Sequence, residues 1–187
     1  MTAAAPSQPI PTEEDFGPLV EVLDAAGRTV AVMPEAEARR QLQRHRSIAV
    51  LLYDEAGRLF LRRRDVTRLH AAGRWDTSAR GAVLCGESLQ DAATRILEKE
   101  LGVHAERMRP ALELPAQPEN GNEQLHVFAL SRPELPLSAA ADQDSGDYAF
   151  SPEELNCLLR DFRELVSPRF LLLAEAMSLK GRLRLRP

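Results

Sequence analysis

The sequence predicts an α+β sandwich, and three observations carry that reading. Short apolar or alternating runs broken by glycine-containing turns crowd the first half of the chain. A helical segment with clear start and stop residues occupies the middle. Two Ser-Pro-led helical segments close the chain. Strands early and helices late are the pattern of a sheet packed against helices. With 187 residues, 44% of them hydrophobic, the chain is sized for one domain with a real core.

The start, "MTAAAPSQPIPTEEDFGP", is rich in Pro and Ala, carries early acids and lacks the basic-then-apolar layout of a signal peptide. Residues 1–17 therefore read as a flexible tail, residues 18–180 as the domain and residues 181–187 as a C-terminal tail. "LVEVLDAAGRTVAVM", from Leu19 to Met33, alternates on both sides of a glycine turn, which is a hairpin signature. "PEAEARRQLQRHR" continues as a helix, with Pro34 suited to its first turn. "SIAVLLYDEAGRLFLRRR" repeats the strand, turn, strand logic. "DVTRLHAAGRWDTSARG" is a loop leading into a short strand over Trp75 to Arg80. Next come the central helix, the loop "PAQPENGN" and the strand "QLHVFAL". Residues 133–147 are mixed and acidic, as in a surface loop. In "SPEELNCLLRDF", Ser151 can cap, Pro152 fits the first turn and Glu153 and Glu154 suit the positive helix end. "SPRFLLLAEAMSLKG" does the same from Ser167 and Pro168, with Gly181 as its stop.

A formal charge of −4 lacks the basic excess of a non-specific nucleic-acid binder. No apolar run reaches the ~20 residues of a membrane helix. Cys85 and Cys157 are far apart and without metal-ligand spacing, which points to a reducing, cytoplasmic setting.

The central stretch "GAVLCGESLQDAATRILEKELGV" holds the chemistry. Ser88 and Asp91 form a capping box, and Gly102 suits a left-handed stop. At 100° per residue from Leu89, Ala93 falls near ~40°, Ile96 near ~340° and Glu100 near ~20°. Glu100 is thus expected on the apolar face, whereas Glu98, near ~180°, points away. An inward carboxylate needs a cation: a divalent metal or an arginine such as Arg80.

The spacing Gly81, Glu87, Arg95, Leu97, Glu100, Gly102, Val103 resembles the Nudix box, G-x5-E-x7-R-E-U-x-E-E-x-G-U. Ile96 and Lys99 stand where that pattern has glutamates. The resemblance implies a Nudix fold, a mixed sheet between helices, here with a hairpin-and-helix extension over residues 18–45. It also implies hydrolysis of a diphosphate-linked small molecule with Mg²⁺ or Mn²⁺, Glu100 at the centre and Glu87 and Glu123 as further metal ligands. Ile96 removes the nearest partner of Glu100 and Lys99 repels a cation, so that chemistry is impaired. The other reading is a non-catalytic binding protein that keeps the fold. A homodimer is compatible with both.

Across roughly residues 18–175 the similarity sharpens toward the isopentenyl-diphosphate isomerase branch and its bacterial hydrolase relatives. There, Arg80 stands at the catalytic cysteine, Ala82 at one metal-binding histidine and Ala38 or its neighbours at another. Only His45 and Glu123 match isomerase metal or acid positions. Isomerisation is therefore the lesser expectation. By itself, His45 between arginines reads as a surface or capping residue. Arg62 and Arg64 share one strand face and Arg63 the other, as either a solvated edge or a diphosphate site. Trp75 is expected as a core or loop anchor, and one acid of "ADQDSGD" as a further metal ligand.

Overall fold

The computed structural model describes residues 17–67, 71–131 and 147–179. Nine strands form one mixed sheet: β1 (Leu19–Leu23), β2 (Thr29–Pro34), β3 (His45–Tyr53), β4 (Leu59–Arg63), β5 (Trp75–Asp76), β6 (Ala79–Ala82), β7 (Arg109–Leu114), β8 (Glu123–Ser131) and β9 (Tyr148–Phe150). The helices are α1 (Glu35–Arg40), α2 (Leu89–Leu101), α3 (Pro152–Asp161) and α4 (Pro168–Leu179).

The hub is β3. It runs parallel to β8 from His45↔Glu123 to Tyr53↔Ser131 and antiparallel to β6 from Ser47↔Ala82 to Val50↔Ala79. Its ends also meet β1 and β4. This central strand is covered by helices on both faces, which is why "IAVLL" is continuously apolar rather than alternating. One face carries Ile48 and Val50 against Ala92, Ala93, Ile96 and Leu97 of α2. The other carries Ala49 and Leu51 against Leu155 and Leu159 of α3 and Phe170 and Leu173 of α4. Helices therefore cover both sides of the sheet, as expected.

Both early turns use one local device. Asp24 and Asp54 each accept the backbone N–H of the arginine four residues on and pair with its side chain, while Gly27 and Gly57 take positive φ. The expected first helix is shorter, ending at Arg40, because Leu42 turns left-handed at φ 53° and the chain enters β3 at His45. Pro34 closes β2 and stands at the N-cap of the helix rather than in its first turn. The expected strand over Trp75 to Arg80 is two strands. Ser78 leaves the ladder at the break, and its hydroxyl donates to the Phe60 carbonyl and accepts from the Leu52 N–H. Strands β7 and β9 had no counterpart in the sequence reading. β7 contains Pro110 beside a register shift, and β9 is three residues long. Most of the acidic loop over 133–147 lies outside the described residues, as do the tails except Gly17, and with them the expected stop at Gly181. No helix among the described residues is long and apolar enough to cross a membrane.

Candidate functional site

Helix α2 has the ends its sequence implies. Ser88 Oγ accepts the Asp91 N–H at 3.1 Å, and Gly102 adopts φ 64°. In the loop before it, the Glu87 carboxylate takes a two-pronged contact from Arg95, Nε and Nη2 each at 2.7 Å. Glu87 also accepts the Leu84 N–H at 3.0 Å, and Arg95 reaches the Ala82 carbonyl at 2.9 Å. Burial pushes the Glu87 carboxyl up, but Arg95 and the Leu84 N–H more than reverse it, leaving it below the usual glutamate range. The same carboxylate raises the Arg95 guanidinium. Glu87, expected to bind metal, here ties the loop to the helix.

Glu100 departs from expectation. Its side chain is 39% exposed and pairs with Arg62, Nη1 at 2.8 Å, rather than with Arg80. Helical periodicity gave its azimuth correctly, but not its depth: the buried face ends with Ala92, Ala93, Ile96 and Leu97, one turn earlier. Ile96 is 2% exposed and lies so close to Gly81 that a Cβ there would stand 2.9 Å from Ile96 Cγ1. An apolar contact thus fills the position where the Nudix pattern has an acid, and Lys99 is exposed. Arg62 also reaches Asp147 at 3.3 Å, so two carboxylates meet one guanidinium. Arg64 pairs with buried Asp76 at 2.9 Å, and Arg63 donates to the Gly73 carbonyl and lies 6.0 Å from the Trp75 ring centre. Trp75 packs edge-on against Phe150 and is an anchor, as expected.

The other organising carboxylate is Glu123, 1% exposed at the start of β8. Its Oε1 receives Arg39 Nη1 at 3.1 Å and Arg169 Nη2 at 2.9 Å; its Oε2 receives Arg80 Nη2 at 2.9 Å. His45, its register partner on β3, brings Nε2 to 3.9 Å of Oε1. Burial alone would raise this carboxyl strongly. Arg80, Arg169 and Arg39 overcome that and hold it below the usual range. Arg169 itself is lowered to about 10, first by burial and then by Arg80, despite the carboxylate beside it. Burial is the larger cause, and the neighbouring Arg80 and Arg39 guanidiniums add to it.

His45 is fully buried rather than at the surface. Its Nδ1 contacts the Gln43 carbonyl at 2.9 Å, while Nε2 has no hydrogen-bond partner. Ser47, two residues on and therefore on the same sheet face, is also fully buried, and its Oγ has no partner. Ser47 is in register with Ala82, which packs with Ala38 and Val20. Of the five positions marked by the isomerase resemblance, Ala38, His45, Ala82 and Glu123 thus converge in space, as does Arg80 through its contact with Glu123. Two of them are alanines.

Sequence reasoning missed Arg39 and Arg169. Arg39 also pairs with Glu35 one turn earlier, and Arg169 Nε donates to the Asn120 carbonyl. One signal for Arg169 existed: it sits in the first turn of α4, where a cation opposes the helix dipole and needs another reason to be there. A Cβ on Gly121, itself at φ 74°, would stand 2.6 Å from Arg169 Nη2, so glycine makes room for that guanidinium.

The donor set does not fit a divalent cation held by several carboxylates. Glu87, Glu100 and Glu123 are each matched to arginine. Among the described residues, no group of three His, Cys, Asp or Glu side chains is placed to hold a metal. What the region presents is guanidinium, which suits oxyanions.

The family model described as the NUDIX domain matches residues 43–171. An isopentenyl-diphosphate Delta-isomerase of Mycolicibacterium vanbaalenii is 37% identical over 101 residues, 54% of this chain and 56% of that protein. An uncharacterised Nudix hydrolase of Pseudomonas aeruginosa is 36% identical over 85 residues, 46% of this chain and 50% of its own length. The chain thus spans about half the length of the curated relatives it matches. A solved structure from Deinococcus radiodurans superposes with TM-score 0.68 at 21% identity, covering 84% of this chain and 98% of that one, a likeness of fold.

Proposed function

The chain belongs to the NUDIX domain family, and from that premise we propose that it binds a diphosphate-containing small molecule without the multi-carboxylate metal chemistry of the intact box. One observation carries this reading. All three carboxylates expected to hold metal face arginine instead: Glu87 meets Arg95, Glu100 meets Arg62, and Glu123 meets Arg39, Arg80 and Arg169. The guanidinium fork matches paired phosphate oxygens, and neither Ile96 nor Lys99 can ligate Mg²⁺. Isomerisation is disfavoured, because Arg80 stands where the resemblance requires a cysteine and Ala82 where it requires a histidine. A cytoplasmic setting agrees with two exposed, unpaired cysteines.

Hydrolysis dependent on Mg²⁺ is the second reading, and the arrangement of Arg62 favours it. Glu100 and Asp147 both reach this side chain. A substrate phosphate that drew Arg62 away would leave two carboxylates around one point. Calorimetric titration of Mg²⁺ and Mn²⁺, then of a panel of nucleoside diphosphate derivatives with and without a chelator, separates the two. Binding that survives chelation, with no phosphate release, is expected. Metal-dependent release abolished by Glu100→Gln would replace the binding reading with the hydrolase.

A further inference from the structure

The Glu123 cluster holds more positive charge than its carboxylates balance. Arg39, Arg80 and Arg169 face Glu123 and, further out, Glu35 on Arg39. Three guanidiniums against two carboxylates leave one positive charge over. Asp76, the next acid that acts on Arg169, is already paired with Arg64. A structural ion pair needs one arginine for one carboxylate; here three elements, α1, β6 and α4, deliver three to one carboxylate on β8.

Access is as telling as charge. Glu123 lies beneath at 1% exposure, while the side chains of Arg80, Arg169 and Arg39 are 18%, 25% and 35% exposed. The carboxylate is sealed, while each of the three arginine side chains keeps part of its surface exposed. Among the described residues Arg80 meets Glu123 through Nη2 alone, which leaves the rest of its fork open to another acceptor. The inner wall supplies a second, independent sign. His45 Nε2 and Ser47 Oγ are both fully buried without a partner, on the sheet face from which Arg80 and Glu123 project. Buried polar atoms are normally satisfied, and two neighbouring exceptions lie on this face beside the cluster.

We propose that Arg39, Arg80 and Arg169 form a binding site for a terminal phosphate or diphosphate group, with Glu123 as the internal counter-charge that spreads the three guanidiniums into a receptive fan. The inference rests on the reading of the chain as a binder of diphosphate-containing molecules and assigns the anion to this cluster rather than to Arg62, Arg63 and Arg64. A phosphate suits the site better than a second carboxylate. It carries more charge, and its tetrahedral oxygens engage several forks at once. Gly121 belongs to the design, because the space its missing side chain leaves is occupied by Arg169.

The experiment is calorimetric titration of the full chain with inorganic pyrophosphate in the presence of a chelator. Thermal melts and circular dichroism confirm that each variant is folded. Wild type is expected to bind. Arg80→Met and Arg169→Met should each weaken binding about tenfold or more, and Arg80→Lys, which keeps the charge but not the fork, should fall between. Glu123→Gln removes the competing carboxylate and should bind pyrophosphate more tightly, with a larger rise in melting temperature on adding it. A cluster that is only structural would give no such gain. If wild type binds and affinity falls with Arg62→Met and Arg64→Met but not with Arg80→Met or Arg169→Met, the site assignment is overturned while the binding reading stands. If wild type binds no pyrophosphate, both fall.

Discussion

Glu87 and Glu123 are both partly or wholly buried carboxylates answered by arginine, yet they solve different problems. Glu87 meets one arginine eight residues away, both oxygens are engaged, and the charges cancel. Arg95 gains proton affinity from the match. Glu123 meets three arginines drawn from positions 39, 80 and 169, and Arg169 loses proton affinity although it touches the same carboxylate. The first is a local clamp that closes a loop on its helix. The second gathers three arginines from distant positions around one buried carboxylate.

Removing each carboxylate should widen that contrast. Glu123→Ala leaves three guanidiniums over a buried gap and is expected to destabilise by about 3–5 kcal/mol in urea denaturation. Added pyrophosphate should recover part of the loss. Glu87→Gln should cost less, about 1–3 kcal/mol, with no pyrophosphate rescue. Its pH dependence has a definite sign. Because folding lowers the Glu87 carboxyl, its stabilisation is complete above the ordinary glutamate value near ~4.3 and is lost as pH falls through the lower folded value. The gap between wild type and Glu87→Gln should therefore be constant near neutrality and close in acid; a gap that widens in acid would contradict the clamp.

Gly121→Ala probes the cluster from the backbone. It places a side chain at φ 74° and against Arg169, so a loss of about 1–2 kcal/mol from the left-handed conformation is expected. Weaker pyrophosphate binding should accompany it, and unchanged binding would show that Arg169 can move without consequence. The smallest effect is expected at Glu100→Gln. That ion pair with Arg62 is more than a third exposed on both sides, and exposed pairs contribute under ~1 kcal/mol.

The two clusters also differ in how far they could be read from the chain. The ends of α2, the spacing of Glu87 and Arg95 and both hairpins lie within short windows, so periodicity, capping residues and turn glycines specify them. The same tools put Glu100 on the apolar side of α2, because they give direction around a helix and not how far the sheet extends beneath it. His45 was misread as a surface residue since its neighbours Arg44 and Arg46 are charged, whereas its own strand face is covered by α1 and α4 elements that the local sequence does not name. Arg80, one of the two candidates to neutralise Glu100, meets Glu123 instead for a related reason: pairing β6 with β3 turns it toward Glu123, on the face opposite α2.

What the sequence by itself determined is the NUDIX helix with both ends and its loop, the α+β class, and the replacement of acids by Ile96 and Lys99. Each depends on contacts between residues close along the chain. The tertiary structure alone decided which charge answers Glu123. Parallel pairing of β3 with β8 sets His45 beside it, and α1, β6 and α4 bring three arginines from distant positions onto one carboxylate. Coulomb interactions depend on distance in space, and here that distance is fixed only when the whole sheet is assembled.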